Sequence, residues 1–145
     1  MAFVSALFGQ LRPSRGYATP GRRRVPQVVL RGKSGRAYAF EVYRAAAEAA
    51  RGDVPAVYMY VREAHPVGAQ SPDFAVGFIG HTDAIGARVR EHERLGHFVG
   101  HGLDGLLVLW VEHGPIRAAI AEDMLAAYRP VLNDLLSGYQ GTKVS

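Results

Sequence analysis

A chain of 145 residues, 48% of them apolar, is long enough for one domain around one core, and it has no apolar run near the roughly eighteen residues that a membrane helix needs. The absence of cysteine excludes a disulfide framework, a thiolate nucleophile, a cysteine zinc site and thiol redox chemistry, and is compatible with a reducing compartment. The net charge of +4 is unevenly spread: residues 1–40 carry eight basic residues and no acid, against nine basic and thirteen acidic residues in the remainder, so a +8 segment precedes a −4 body.

The basic segment opens the chain, and three readings of residues 1–25 stand. Arg12, Arg15, Arg22, Arg23 and Arg24, punctuated by Pro13, Gly16, Pro20 and Gly21, read as a flexible arm that can attract phosphate backbones. The same composition also describes a solvated leader with little to pack. With Phe3, Leu7, Phe8 and Leu11, the stretch resembles an organellar transit peptide as well, whereas a secretory signal is disfavoured because no basic residue precedes its short apolar run.

Residues 26–53 form the next segment. Val28 to Leu30 and Ala37 to Val42 flank Gly32-Lys33-Ser34-Gly35, which predicts a hairpin whose charged tip is simply wet. The alanine-rich residues 44–51 predict a short helix that ends before Gly52 and Pro55. Val57 to Val61 then predicts a strand with Tyr58 and Tyr60 on one face and Val57, Met59 and Val61 on the other. A polar loop over 63–73 leads to a second strand, Phe74 to Ile79, stopped at Gly80.

The helix that follows is the most informative element. Thr82 is placed to cap it, and Asp83 in its first turn suits the positive end of the dipole. At 100° per residue Ile85, Arg88, Val89, His92 and Leu95 share about one third of the circumference, while Arg90, Glu91, Glu93 and Arg94 fall on the solvated side. An arginine rooted among aliphatic side chains requires an anion, either a protein carboxylate or a ligand phosphate. The helix alone leaves both open.

Leu106 to Val111 is an unbroken apolar run, as in a strand covered on both faces, and Trp110 within it reads as core. Gly114-Pro115 opens a second helix with Ile116, Ile120, Met124 and Tyr128 as its inner stripe. Glu122 lies off that stripe, at the rim or in water. Pro130 ends the helix, and residues 135–145 form a tail. His92, His97 and His101 are close in sequence, but glycines between them break any common helical face, which argues against a metal site there.

In this order, Ala56-Val57-Tyr58, Phe78-Ile79-Gly80 with Thr82, Arg88 and His92, Glu122, and Pro130 with Asn133, the body over residues 54–134 resembles the GIY-YIG nuclease superfamily. The resemblance implies an α+β fold with a small, mainly antiparallel three-stranded sheet flanked by helices, here with the N-terminal hairpin as an extension. It implies hydrolysis of DNA phosphodiester bonds with one divalent cation, magnesium or manganese. Glu122 would hold that cation through a hard oxygen donor. Arg88 would meet the scissile phosphate, Tyr58 the nucleophilic water as general base or its positioner, and His92 a position near the attacking water. Gly80, Thr82 and Asn133 are the implied substrate-side positions, Asn133 as a structural or phosphate-positioning residue rather than a catalytic one. Two departures stand out: Ala56 replaces the first glycine, and Phe78 replaces the second motif's tyrosine, which removes a hydroxyl while keeping the ring. Tyr60 is a candidate substitute hydroxyl.

Two functions are therefore expected from the sequence. One is a metal-dependent DNA endonuclease, with structure- or backbone-directed recognition and a place in DNA repair or recombination. The alternative is a catalytically weak or inactive nucleic-acid-binding module on the same fold. The expected setting is soluble and cytoplasmic, with an organellar alternative through the arginine-rich N-terminus, no membrane partner and no stated oligomeric state.

Overall fold

β5, Ala56–Ala64, is the central strand: its alternating apolar and aromatic residues from Ala56 to Val61 are buried on both faces, and both of its edges are paired. A computed structural model describes residues 2–5, 12–13, 25–49, 52–64, 73–98 and 100–136. In it β5 pairs antiparallel with β6, Asp73–Thr82, on one side and with β7, Gly105–Trp110, on the other. β7 also pairs with β4, Ala37–Tyr43, which turns back into β3, Pro26–Arg31. Short edge pieces, β1 (Ala2–Ser5) on β6 and β2 (Arg12–Pro13) on β3, complete the order β1-β6-β5-β7-β4-β3-β2.

The α+β class stands, but the expected three-stranded sheet is corrected. Five strands, β3 to β7, form its body, because Glu41, Val42 and Tyr43 of β4 pair with Val108, Leu107 and Leu106 of β7. A strand buried on both faces still has two hydrogen-bonding edges, and the hairpin covers the second edge of β7. Val28, Leu30, Phe40 and Val42 of that hairpin share one cluster with Met59, Ile79 and Met124, so the hairpin and the body have a common core. Of the expected arm, the described residues 2–5 and 12–13 are strands and Val25 leads into β3; the rest of it, the loop 65–72 and the tail beyond Leu136 lie outside the described residues.

Helices cover both faces. α3, Gly114–Tyr128, packs Ala121 and Met124 on the Val57, Met59 and Ile79 face. α1 (Ala46–Ala49), α2 (Ile85–Leu95) and α4 (Val131–Leu135) lie on the Tyr58, Tyr60 and Phe78 face. Among the described residues no helix is long and apolar enough to cross a membrane.

Two helical expectations need correction. Thr82 does not cap α2: its hydroxyl accepts from Ala84 N at 3.1 Å to close a turn, and Ala84 is the N-cap residue. The segment before β5 serves the helix instead, with Asp53 Oδ1 accepting from Ala87 N at 3.0 Å and Val54 O from Ile85 N at 3.1 Å. The inner stripe of α3 is also rotated, because Ile116 is 53% exposed and Arg117 is buried in its place. Arg117 bends back and donates to Val111 O at 3.1 Å and Glu112 O at 3.2 Å, satisfying carbonyls at the turn into the helix. Next to Glu122, Asp123 fastens α3 to the hairpin by accepting from Ser34 N at 2.8 Å, Ser34 Oγ at 2.6 Å and Tyr38 Oη at 2.8 Å. Those bonds, led by the Ser34 hydroxyl, hold its carboxyl below its ordinary value.

Candidate active site

The two short motifs meet across a single strand pair. Tyr58 of β5 lies opposite Gly80 of β6, and a β carbon at Gly80 would stand 2.7 Å from the Tyr58 hydroxyl and 2.8 Å from Cζ. Only glycine leaves room for the tyrosine ring there. A bulge brings the partners to one face: Tyr60 pairs with Phe78 and Val61 with Val76, so Gly77 is the extra residue. Without it Phe74, Val76 and Phe78 would share a face. With it Phe74 and Val76 remain in the α3 cluster while Phe78 crosses to Tyr58.

His92 of α2 closes over this pair. Its Nε2 is 2.8 Å from the Tyr58 hydroxyl and its Nδ1 is 2.8 Å from Nδ1 of His97. Phe78 stands edge-on to the imidazole with centroids 5.2 Å apart, Tyr60 likewise at 5.5 Å, and Phe98 lies at 5.0 Å. Such surroundings disfavour an imidazolium. Burial first, then the nearby His97 and Arg88, push the His92 pKa down to about 3 against the opposing charge of Glu91, so the ring is neutral at pH 7. Tyr60 shares this face as the alternation predicted, but its buried hydroxyl has no hydrogen-bond partner among the described residues, and burial pushes its pKa up.

Arg88 is buried, as the helix spacing predicted, and the anion facing it is a protein carboxylate: Nη1 is 3.6 Å from Oε2 of Glu91. Glu91 was expected on the solvated side; as residue i+3 it instead leans along the helix toward Arg88. Leu95, expected inside, is exposed at the last turn.

Glu122 is exposed on α3, on the opposite face of the sheet from Tyr58, and its charge acts on His81 at the end of β6. His81 stands there, half-buried, with a buried Nδ1 that has no hydrogen-bond partner among the described residues. Burial, followed by the charges of Arg117 and Arg88, lowers its pKa, and Glu122 opposes them. His81 therefore lies within electrostatic reach of both Arg88 and Glu122.

No known protein family, curated protein or solved structure matches this chain.

The structure brings Tyr58, Phe78, Gly80 and His92 into one cluster with Arg88 beside it, and leaves Glu122 outside it, exposed on α3 across the sheet. Thr82 and Asn133 are committed to the chain's own backbone: Asn133 Oδ1 accepts from Ile79 N at 2.9 Å and its Nδ2 donates to Ile79 O at 2.7 Å. Asn133 thus continues the hydrogen-bonding of β6 on the edge away from β5, where beyond Val76 no strand pairs with it among the described residues. Trp110 is half-buried, and its indole N–H donates to the Glu41 carboxylate. His81 and Arg117 were given no role from the sequence, Glu91 was placed on the solvated side, and His97 was weighed only as a metal ligand. His81 directly follows the second motif, Phe78-Ile79-Gly80, and that adjacency was its signal; His97 is brought back onto His92 by Gly96, whose φ of 66° reverses the chain at the end of α2.

Among the described residues no group of three or more His, Asp or Glu side chains could hold a metal. A lone exposed carboxylate fits one kind of cation, a hard one such as magnesium or manganese that keeps most of its waters and takes its other oxygens from substrate phosphates.

Proposed function

We propose that this chain is a metal-dependent DNA endonuclease of the GIY-YIG type. The observation that carries the reading is the pairing of Tyr58 with Gly80 beneath a neutral His92 whose Nε2 lies 2.8 Å from the Tyr58 hydroxyl. A phenol is a weak base until its own proton has somewhere to go, and a neutral imidazole at hydrogen-bond distance supplies that acceptor. Tyr58 would then orient and deprotonate the attacking water. Arg88 would hold the scissile phosphate in the place that the Glu91 carboxylate occupies at 3.6 Å, and offset charge gathering on its oxygens. Glu122 is the carboxylate that would hold a magnesium or manganese ion, which when bound stabilises the leaving oxygen. Structure- or backbone-directed recognition, a part in DNA repair or recombination, and a cytoplasmic or organellar setting belong to the same proposal.

One observation favours a second reading, a nucleic-acid-binding module without turnover. Tyr58 is 0% exposed and Arg88 and His92 are each 1% exposed, so substrate must open the cluster before reaching it, and Phe78 brings no hydroxyl of its own. The deciding experiment is cleavage of supercoiled plasmid and of branched, flapped and linear DNA, with magnesium or manganese, by wild type, Glu122→Gln and Phe78→Tyr. Nicking by wild type that disappears in a folded Glu122→Gln supports the nuclease. Binding without nicking, with cleavage gained by Phe78→Tyr, supports the module, and neither binding nor cleavage overturns both.

A further inference from the structure

The hydrogen-bonded line from Tyr58 does not stop at His92. It runs from the Tyr58 hydroxyl to His92 Nε2 at 2.8 Å and from His92 Nδ1 to His97 Nδ1 at 2.8 Å, from a fully buried phenol to a half-buried histidine just beyond the end of α2. We propose that His97 is a positioning residue that fixes the tautomer of His92 and gives the Tyr58 proton its way out to solvent. The assignment rests on the reading of Tyr58 as the base.

A neutral imidazole donates from one nitrogen and accepts at the other. For His92 Nε2 to accept from Tyr58, its hydrogen must sit on Nδ1, and a buried Nδ1–H needs an acceptor. The lone pair of His97 Nδ1 is that acceptor, which puts the His97 hydrogen on Nε2. The opposite arrangement, with His97 donating from Nδ1, forces the His92 hydrogen onto Nε2 and makes Tyr58 the acceptor, with its own hydrogen pointing away. His97 therefore sets the direction of the whole line. Burial also lowers the His97 pKa, which keeps that lone pair available near pH 7.

Proton transfer along the line balances. The Tyr58 O–H bond breaks as a proton joins His92 Nε2; His92 releases its Nδ1 proton to His97 Nδ1; His97 releases its Nε2 proton to water. What remains is a Tyr58 phenolate and two neutral imidazoles of exchanged tautomer, and the phenolate takes its proton back from the attacking water. The charged and titratable groups around the line are Arg88 and Glu91 from α2, Tyr60 from β5 against the His92 ring, and Glu93, which acts on Tyr60.

The test uses the full chain, with 15N-labelled histidine spectra and plasmid nicking measured on the wild type and His97→Ala. The wild type should carry the His92 hydrogen on Nδ1 and the His97 hydrogen on Nε2. In His97→Ala the His92 hydrogen should move to Nε2, nicking should slow by about a hundredfold, the lower end of what a positioned acid or base contributes, with KM for DNA unchanged, and free imidazole should restore part of the rate. A wild-type His92 protonated on Nε2, an unmoved tautomer in His97→Ala, or an unchanged nicking rate overturns the assignment. A wild type that nicks no DNA overturns the nuclease reading instead, and the spectra then decide the tautomer assignment by themselves.

Discussion

His92 is a base held neutral inside the fold, and this gives its neighbourhood a pH signature. In the unfolded chain an imidazole binds its proton near pH 6.5; in the native protein His92 does not do so until about pH 3. Between those values the unfolded state holds more protons, so the His92 contribution is fully present above pH 6.5 and is lost as pH falls toward 3, at roughly 1.4 kcal/mol per unit. His81 and His97, also lowered, add slope of the same sign. Urea midpoints measured from pH 7.5 to 4.5 should therefore fall on acidification, and less steeply in His92→Gln than in the wild type; equal slopes would remove His92 from the account. Gly80 makes a second prediction at this scale. A methyl there meets the Tyr58 hydroxyl at 2.7 Å, so Gly80→Ala should cost about 1–3 kcal/mol of stability by overpacking and should move the Tyr58 resonances, both read by urea melts and NMR. Burial of Arg88 and His92 was legible because a helical period is a strong signal. Glu91 was misread because a long carboxylate one turn away can bend along the helix, and period alone fixes only where its stem begins.

Elements explain why some of the site was legible and some not. Strands β5, β6 and β7 were readable from alternation and apolar runs, yet alternation predicts a constant face, and the bulge at Gly77 changes the face partway along β6. A glycine inside a strand is the signal for such a bulge. Gly77 also packs tightly, since a β carbon there would lie 2.2 Å from Leu103 Cδ1. The α3 stripe was drawn from apolar residues, and Arg117 displaced Ile116 because the carbonyls of Val111 and Glu112 needed donors, which a hydrophobicity pattern does not record. Asn133 gives this scale its prediction. Its amide makes both hydrogen bonds to Ile79, so Asn133→Ala removes two partners from one edge residue. The substitution should cost about 1–3 kcal/mol and speed hydrogen exchange at the Ile79 amide while the Met59 amide, inside the β5 pairing, stays protected. Unchanged exchange at Ile79 would mean that α4 does not close that edge.

At the scale of the molecule the sheet came out larger than the family resemblance implied, because a resemblance spanning residues 54–134 says nothing of what the hairpin before it does. The alternation of Val28, Leu30, Phe40 and Val42 held that information, but pairing between β4 and β7 is a long-range choice that local pattern cannot fix. Charge is different, since it is written in composition and needs no fold. On the proposed nuclease or DNA-binding reading, a +8 segment ahead of a −4 body should make binding to DNA salt-dependent through counterion release, with each phosphate neutralised on a duplex contributing about 0.9 to the slope of log K against log salt. Arg22, Arg23 and Arg24 are the densest part of that segment. Replacing all three with glutamine should flatten the slope by up to about 3 and weaken binding most at low salt, while leaving nicking at saturating DNA unchanged, because the Tyr58 and Arg88 cluster is built from other elements. Fluorescence anisotropy with a labelled duplex between 50 and 300 mM potassium chloride measures the slope. An unaltered slope would assign the attraction to Lys33, Arg36 and the body, and leave the arm as a solvated leader.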